Sequence, residues 1–427
     1  MPAKNVWILP AIAGAALFLL APAAAQSPAF TTIDPGNPSR LGEHAFSLII
    51  NGAPATVYSN ETNSKLKFAR ATSADGAGSW AVTTIASGSP MRYAAMAVVD
   101  SRPAVCYFDI VGSVVKFAHA STSDGSGIWT ISSVESGAFG TPMSIAVIDG
   151  HPAISYCVAG QLKFARNSAA DGTGTWSPTL IDPTGGHYSS MRVVNGYPAI
   201  SYLANGLNGD LKFAINSAAD GSGTWTTTSI DTAGNVGAYT CLQMVDGNPA
   251  ISYSDTTNRD LKFARSDTFD GAGAWVITTV DSEGNIGPYN SLELINGLPS
   301  ISYWDSANND LKFAINSALN GLGTWTVSTV TSAGAVGMYS SLLTAATMPA
   351  ISYFDATNGT LRFARNPSPD GSGTWTLAEP DPEGADSRIA GEYTSQAIID
   401  GKPAISYYDA TTADLKFARN SAADGSG

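Results

Sequence analysis

Between Tyr289 and Val330 the chain passes through four short apolar bursts separated by turn-forming residues. Tyr289-Asn-Ser-Leu-Glu-Leu-Ile295 alternates and stops at Asn296-Gly297. Pro299 to Trp304 and Leu311 to Ile315 follow, and Trp325 opens a Thr- and Val-rich run to Val330. Period-two alternation, β-branched and aromatic residues, and Gly, Asn and Asp at the breaks predict four β-strands. No helical spacing is found beyond the first 25 residues.

The same pattern returns along the chain. Proline opens the second-strand motif at Pro54, Pro103, Pro152, Pro198, Pro249, Pro299, Pro349 and Pro403, and a Leu-Lys-Phe-Ala-type run follows at Phe68, Phe117, Phe164, Phe213, Phe263, Phe313, Phe363 and Phe417. A Trp opens the fourth strand at Trp80, Trp129, Trp176, Trp225, Trp275, Trp325 and Trp375, one copy fewer. One four-stranded sheet cannot bury both its faces, so each copy of about 50 residues must lean on its neighbours. Four strands at this period predict an all-β, eight-bladed β-propeller. The eighth fourth strand is expected from the other end of the chain. Ala29 to Asp34 has its character, with Phe30 standing for the Trp, so residues 26–427 are expected to form a single propeller domain. Its ring would close three plus one, which removes an exposed edge.

The N-terminus changes the picture of where this ring would work. Lys4, an apolar run from Val6 to Leu20 and Ala23-Ala24-Ala25 before Gln26 read as a signal peptide over residues 1–25. No later stretch has the ~18 continuous apolar residues of a spanning helix, so a secreted chain, extracellular or periplasmic and without a membrane span, is expected. The formal charge of −13, with 22 Lys and Arg against 35 Asp and Glu, excludes a nucleic-acid footprint. The basic residues fall evenly in or beside the third strands, which predicts repeated pairing with turn aspartates. Three cysteines, Cys106, Cys157 and Cys241, cannot form a disulfide framework.

The turn before each Trp strand reads Ser-Ala-Ala-Asp220-Gly-Ser-Gly-Thr-Trp225, with relatives at Asp75, Asp124, Asp171, Asp270, Asp370 and Asp424, and Asn320 as the exception. Asp accepts backbone N–H bonds in such turns and Gly supplies positive φ, so these residues are assigned a structural role. The turn resembles the Asp-box of sialidase-type (BNR-repeat) propellers, although its glycines sit one residue to either side of that family's Gly. The whole chain is similar to secreted bacterial proteins of ISYYD and DLKYA repeats. The resemblance implies a propeller and no particular reaction. Asp-Gly-x-Gly offers too few oxygens for Ca²⁺, so no metal site is expected, and a structural calcium ion is the one cofactor the pattern leaves open. Asp255 with Asp260, Asp305 with Asp310, Asp355, and Asp409 with Asp414 are expected to cap loops.

Residues that repeat report the scaffold, so function is sought where the copies differ. The loop entering each first strand carries a Tyr, at Tyr93, Tyr188, Tyr239, Tyr289, Tyr339 and Tyr393, which Ala45 and Pro142 are expected to replace. Just before it lie Glu43 with His44, Arg92, His187, and Arg388 with Glu392, where other copies have small or apolar residues. Ring closure would bring Arg388, Glu392, Glu43, His44 and Arg92 onto one arc of the channel mouth. With Tyr93, His187, Tyr188 and Tyr393 these residues form the candidate ligand-binding set, since Arg recognises carboxylates and Tyr offers a stacking face with a hydroxyl. His119 and His151 are expected at the surface. Zinc, phosphate-loop and hydrolase-elbow signatures are absent. The resulting expectation is a monomeric binding module for a glycan or protein ligand, without a dedicated catalytic residue. The alternative is a sialidase-like glycosidase using the charged arc.

Overall fold

The computed structural model describes residues 29–34, 41–60, 64–74, 79–137, 142–204, 209–358, 360–379, 390–409 and 414–426. Eight sheets of four antiparallel strands follow one another around a ring. Blade 5 serves as the type: Val236–Val245 is innermost, Asn248–Asp255 and Asp260–Ser266 are central, and Trp275–Asp281 is outermost. The central strands are almost wholly buried, because each is covered on both faces by neighbouring blades. That accounts for their near-continuous apolar runs where a surface sheet would alternate.

Blade 8 takes Ala29–Asp34 as its outermost strand, so the ring closes three plus one as expected. The register corrects one detail. Phe30 pairs with Ala418 and therefore occupies the place of Thr227, which pairs with Ala214, while the Trp position falls on residue 28, outside the described residues. What fixes this alignment is the far end of the strand: Asp34 pairs with Leu415 after the same register shift that sets Asp231 against Leu211. Closure is tied at three depths. Trp80 of blade 1 packs on Phe417 of blade 8 with ring centroids 4.8 Å apart. Ile33, Tyr408 and Phe417 share a core with Tyr58 and Ala69. Near the channel the Ser47 N–H donates to Ser395 Oγ at 3.0 Å.

The Trp–Phe contact recurs at each of the seven boundaries where the later blade carries the Trp, for example Phe164 with Trp225 at 5.1 Å and Phe213 with Trp275 at 5.2 Å. The turn glycine is part of it. Gly221 has φ +79°, and a Cβ there would lie 2.7 Å from the Phe164 ring, so no larger residue fits between the blades. Each turn carboxylate spends one oxygen locally. Asp124, Asp171, Asp220, Asp270, Asp370 and Asp424 each accept the N–H two residues on at 3.0–3.1 Å, and Asn320 does the same for Leu322. Asp75 lies outside the described residues.

The lysines do more than pair within turns. Lys262 bonds Asp255 of its own blade at 2.8 Å and also Asp231, the last residue of the preceding blade, at 3.1 Å. Tyr253 donates its hydroxyl to the same Asp231 oxygen at 2.8 Å. This Tyr–Asp–Lys latch repeats as Tyr202, Asp182 and Lys212, as Tyr303, Asp281 and Lys312, and with Glu135 in place of Asp as Tyr156, Glu135 and Lys163. Burial works against the Lys262 ammonium, but the Asp255 and Asp231 carboxylates outweigh it and hold its pKa above the usual value. Burial and the Asp231 charge push the Tyr253 hydroxyl far up, so it stays protonated and donates. Asp255 additionally accepts the Thr257 and Asn258 N–H groups, which is the loop cap expected of it.

Two expectations about His and Cys resolve here. His119 is buried, contrary to expectation, because the third strand that carries it is an inner strand of its blade; the ring stacks beside Phe117 at 6.0 Å. Desolvation pulls its pKa below the usual value. No disulfide forms among Cys106, Cys157 and Cys241.

Candidate functional site

The innermost strands converge on the channel, and six of them carry a break in pairing near their start. In blade 5 the register jumps between Ala238, opposite Ser254, and Cys241, opposite Ser252. The two residues between them, Tyr239 and Thr240, bulge out of the ladder. Such bulges re-aim side chains, and here the tyrosine backbone turns left-handed. Tyr93, Tyr188, Tyr239, Tyr289 and Tyr339 all have φ of 54–56°. For a bulky L-residue this is an outlier that costs roughly 1–2 kcal/mol at each position.

Hydrogen bonds from neighbouring blades hold the bulges in place. Thr240 donates to the carbonyl of Tyr188 at 2.8 Å, Asn290 to that of Tyr239 at 2.9 Å, Ser340 to that of Tyr289 at 2.8 Å, and Thr394 to that of Tyr339 at 2.6 Å. Each tyrosine is thus clamped by the polar residue that follows the next blade's tyrosine. The rings then meet at a tilt along the mouth. Tyr188 and Tyr239 lie 4.7 Å apart, Tyr239 and Tyr289 5.4 Å, and Tyr289 and Tyr339 4.6 Å, so blades 4 to 7 present one continuous aromatic wall. Burial, with the neighbouring Tyr188 and Tyr289, raises the Tyr239 hydroxyl above its usual pKa. It therefore serves as a neutral donor and stacking surface at physiological pH.

A cavity of about 320 Å³ opens at this mouth. Tyr289, Tyr339 and Thr394 line one side, and Phe46, Tyr93 and Pro142 from blades 1, 2 and 3 line the other. A second cavity of about 360 Å³, bounded by Phe46, Met143, Ser144 and Arg192, continues along the first strands of blades 1 to 4. The channel wall itself is neutral in this stretch apart from Arg192.

The register also settles which positions of the variable arc correspond. Glu43 pairs with Ser59, Arg92 with Phe108, His187 with Leu203 and Glu392 with Tyr408, all at the position that Ala238 holds in blade 5. Glu392, Glu43 and Arg92 thus occupy equivalent backbone places on the consecutive blades 8, 1 and 2. His44 stands at the tyrosine position, and Ala45 one step beyond it, so it is His44 that replaces the tyrosine of blade 1. The slip arises because a two-residue bulge leaves no trace in apolar alternation. Pro142 does stand at the tyrosine position of blade 3, since Ser144 pairs with Ser155. Glu43, His44, Glu392 and Tyr393 are located by strand register alone, and Arg388 lies outside the described residues. Arg92 is exposed, and Tyr93, His187 and Tyr188 are half-buried.

Sequence reasoning found the recurring tyrosines but not their strained backbone or their contact with one another. Among the described residues no group of three or more His, Cys, Asp or Glu is arranged to hold a metal ion, and no helix is long and apolar enough to cross a membrane.

No protein-family model and no curated protein matches the chain. Solved structures do. The chain is similar to polysaccharide lyase Uly1, with a TM-score of 0.51 and 12% identity over 76% of this chain and 88% of that one. It is likewise similar to an ulvan lyase, with a TM-score of 0.52 and 12% identity over 76% and 90% of the two chains. A weaker likeness, TM-score 0.43 at 9% identity over 76% and 67%, is to the NanB sialidase of Streptococcus pneumoniae. At these identities the likeness is one of fold.

Proposed function

We propose that this chain is a secreted β-propeller binding module that takes a glycan at the channel mouth and releases it unchanged. The observation that carries this reading is the run of left-handed tyrosines in blades 4 to 7. Backbone strain of this kind persists only where surrounding structure enforces it, and it concentrates at ligand sites. Tyrosine rings offer flat apolar faces to the C–H surface of a sugar, and their neutral hydroxyls exchange hydrogen bonds with its hydroxyl groups. The nearby cavity suits one or two sugar units in volume. That two polysaccharide lyases share the fold is compatible with a saccharide ligand. The signal-like N-terminus supports export, which would bring the module to extracellular or periplasmic glycans.

The test is a glycan array probed with the chain lacking residues 1–25, followed by titration of the hits and chromatography of the recovered ligand. Binding of at least one glycan, recovered intact, is the expected result. Uniformly blank binding overturns the reading. Appearance of shortened or unsaturated products overturns its non-catalytic part and favours the sialidase-like or lyase-like alternative.

A further inference from the structure

A larger cavity stands away from the mouth. It lies at the outer rim, in the cleft between blades 6 and 7, and encloses about 730 Å³. Its counterpart between blades 4 and 5 encloses about 520 Å³. Both are bounded on one side by the outermost strand of the earlier blade and on the other by the Asp-Gly-x-Gly turn of the later one. The correspondence is residue by residue: Thr326 and Ser328 with Asp370 in the first, Thr226 and Thr228 with Asp270 in the second. Ser328 and Thr228 occupy the same register position, opposite Phe313 and Phe213.

The free chemistry of these clefts is that of a polyol site. Asp370 spends one oxygen, Oδ1, on the Ser372 N–H and hydroxyl, while Asp270 spends its Oδ1 on the Ala272 N–H. Asp370 is exposed and Asp270 half-buried, and Asp370 is the one charged residue lining its cleft. Thr226 and Thr326 expose their hydroxyl-bearing side chains, and Trp375 adds an aromatic wall to the larger cleft. At the boundary between blades 2 and 3 the equivalent hydroxyl is already engaged: Ser132 accepts the indole N–H of Trp176 at 3.0 Å. In the larger cleft Ser328 makes no such bond. Among the described residues its one hydrogen bond is a long 3.5 Å donation to the Phe313 carbonyl, and the Trp375 indole N–H finds no partner there.

We infer that the rim clefts between blades 4 and 5 and between blades 6 and 7 are a second class of site, each taking one neutral sugar unit. A carboxylate that accepts hydroxyl donors, flanked by Thr and Ser hydroxyls and an apolar wall, matches a neutral hexose. The same carboxylate, on a chain of net charge −13, disfavours uronic or sialic acids. Two equivalent sites on one rigid ring give avidity for a chain that repeats the same sugar. This inference does not rest on the mouth reading, and its test separates the two.

Saturation-transfer NMR on the chain lacking residues 1–25 would use methyl glycosides of glucose, galactose, mannose and N-acetylglucosamine, with glucuronate as the anionic control. Transfer to at least one neutral glycoside and none to glucuronate is expected. The Asp270→Asn/Asp370→Asn variant keeps its turns, since Asn320 already holds the same bond in blade 6, and should weaken binding at least tenfold. Filling the clefts with Thr228→Leu/Ser328→Leu should do the same. All of these comparisons are made in a Tyr239→Asn background, so that glycoside held at the mouth does not contribute to the signal. No transfer to any neutral glycoside overturns the inference. So does transfer that is absent once Tyr239→Asn has disabled the mouth, or that survives both double variants in that background.

Discussion

Tyr253 and Tyr239 belong to the same blade and to equally regular patterns, yet their surroundings are opposite. Tyr253 is fully buried in an ordinary strand, and its hydroxyl closes a latch to Asp231 of the neighbouring blade. Tyr239 sits half-buried on a bulge in a left-handed backbone, against two other tyrosine rings at the channel mouth. One tyrosine stabilises the ring; the other is tolerated by it. Repetition alone therefore does not mark a residue as scaffold. What separates the two sets is whether the local geometry lowers the free energy or raises it, and residues held at a cost are the ones to examine for binding.

The latch set can be broken most severely at its shared acceptor. Asp231→Ala leaves the Tyr253 hydroxyl buried without a partner and strips Lys262 of one carboxylate, and should cost about 3 kcal/mol in urea unfolding, as for other broken buried pairs. A loss below ~1 kcal/mol would show that the latch is not a major tie. At the mouth, Tyr289→Asn should lower affinity for an array-identified glycan about tenfold, or roughly 1.4 kcal/mol. Asn accepts the left-handed backbone more readily, so stability should stay within about 1 kcal/mol.

Smaller effects sharpen the contrast. Tyr253→Phe removes one hydrogen bond and should cost about 1 kcal/mol. Acid should weaken the latches in a defined window. Burial opposes the Asp182 charge, but bonds from Lys212, Thr184 and Tyr202 outweigh it and bring its pKa to about 2. An unfolded Asp titrates near about 3.9, so this contribution is complete above that pH and is lost as the pH falls toward 2. Acid unfolding curves of Asp182→Asn should accordingly be flatter than those of the parent between those limits. The smallest effect is expected where the chain has already dropped its latch. Ala86, opposite Leu66, stands where Asp231 stands opposite Leu211, and the buried Tyr107 hydroxyl has no partner among the described residues. Tyr107→Phe should change stability by no more than about 0.5 kcal/mol, and a loss like that of Tyr253→Phe would contradict the latch assignment.

Much of the ring was legible because blade packing demands the same residues each time. Pro, Phe and Trp recur where they meet the next blade, and the strand character of Ala29 to Asp34 survives without its Trp. Register was harder to read. Bulges at the tyrosines and ahead of Asp34 shift pairing without disturbing alternation, which is why Phe30 and Ala45 were each expected at a place they do not occupy. The latches were illegible for another reason: Asp231 and Tyr253 are 22 residues apart and in different blades, so their pairing exists only once the ring is built. The rim clefts are invisible in sequence because their lining residues are common Ser, Thr and Asp of two different repeats. The Glu43, Arg92 and Glu392 positions could be brought to one arc by counting repeats, since counting repeats is counting blades.

The most direct measurement sets the two tyrosines side by side: glycan affinity and thermal midpoint of Tyr239→Asn and Tyr253→Phe, each against the parent chain. Tyr239→Asn should lose at least tenfold in affinity at a nearly unchanged midpoint, while Tyr253→Phe should lower the midpoint and bind as the parent does. Undiminished binding by Tyr239→Asn, or a parallel fall of both quantities in both variants, would contradict the division of this ring into a latched wall and a strained, ligand-binding mouth.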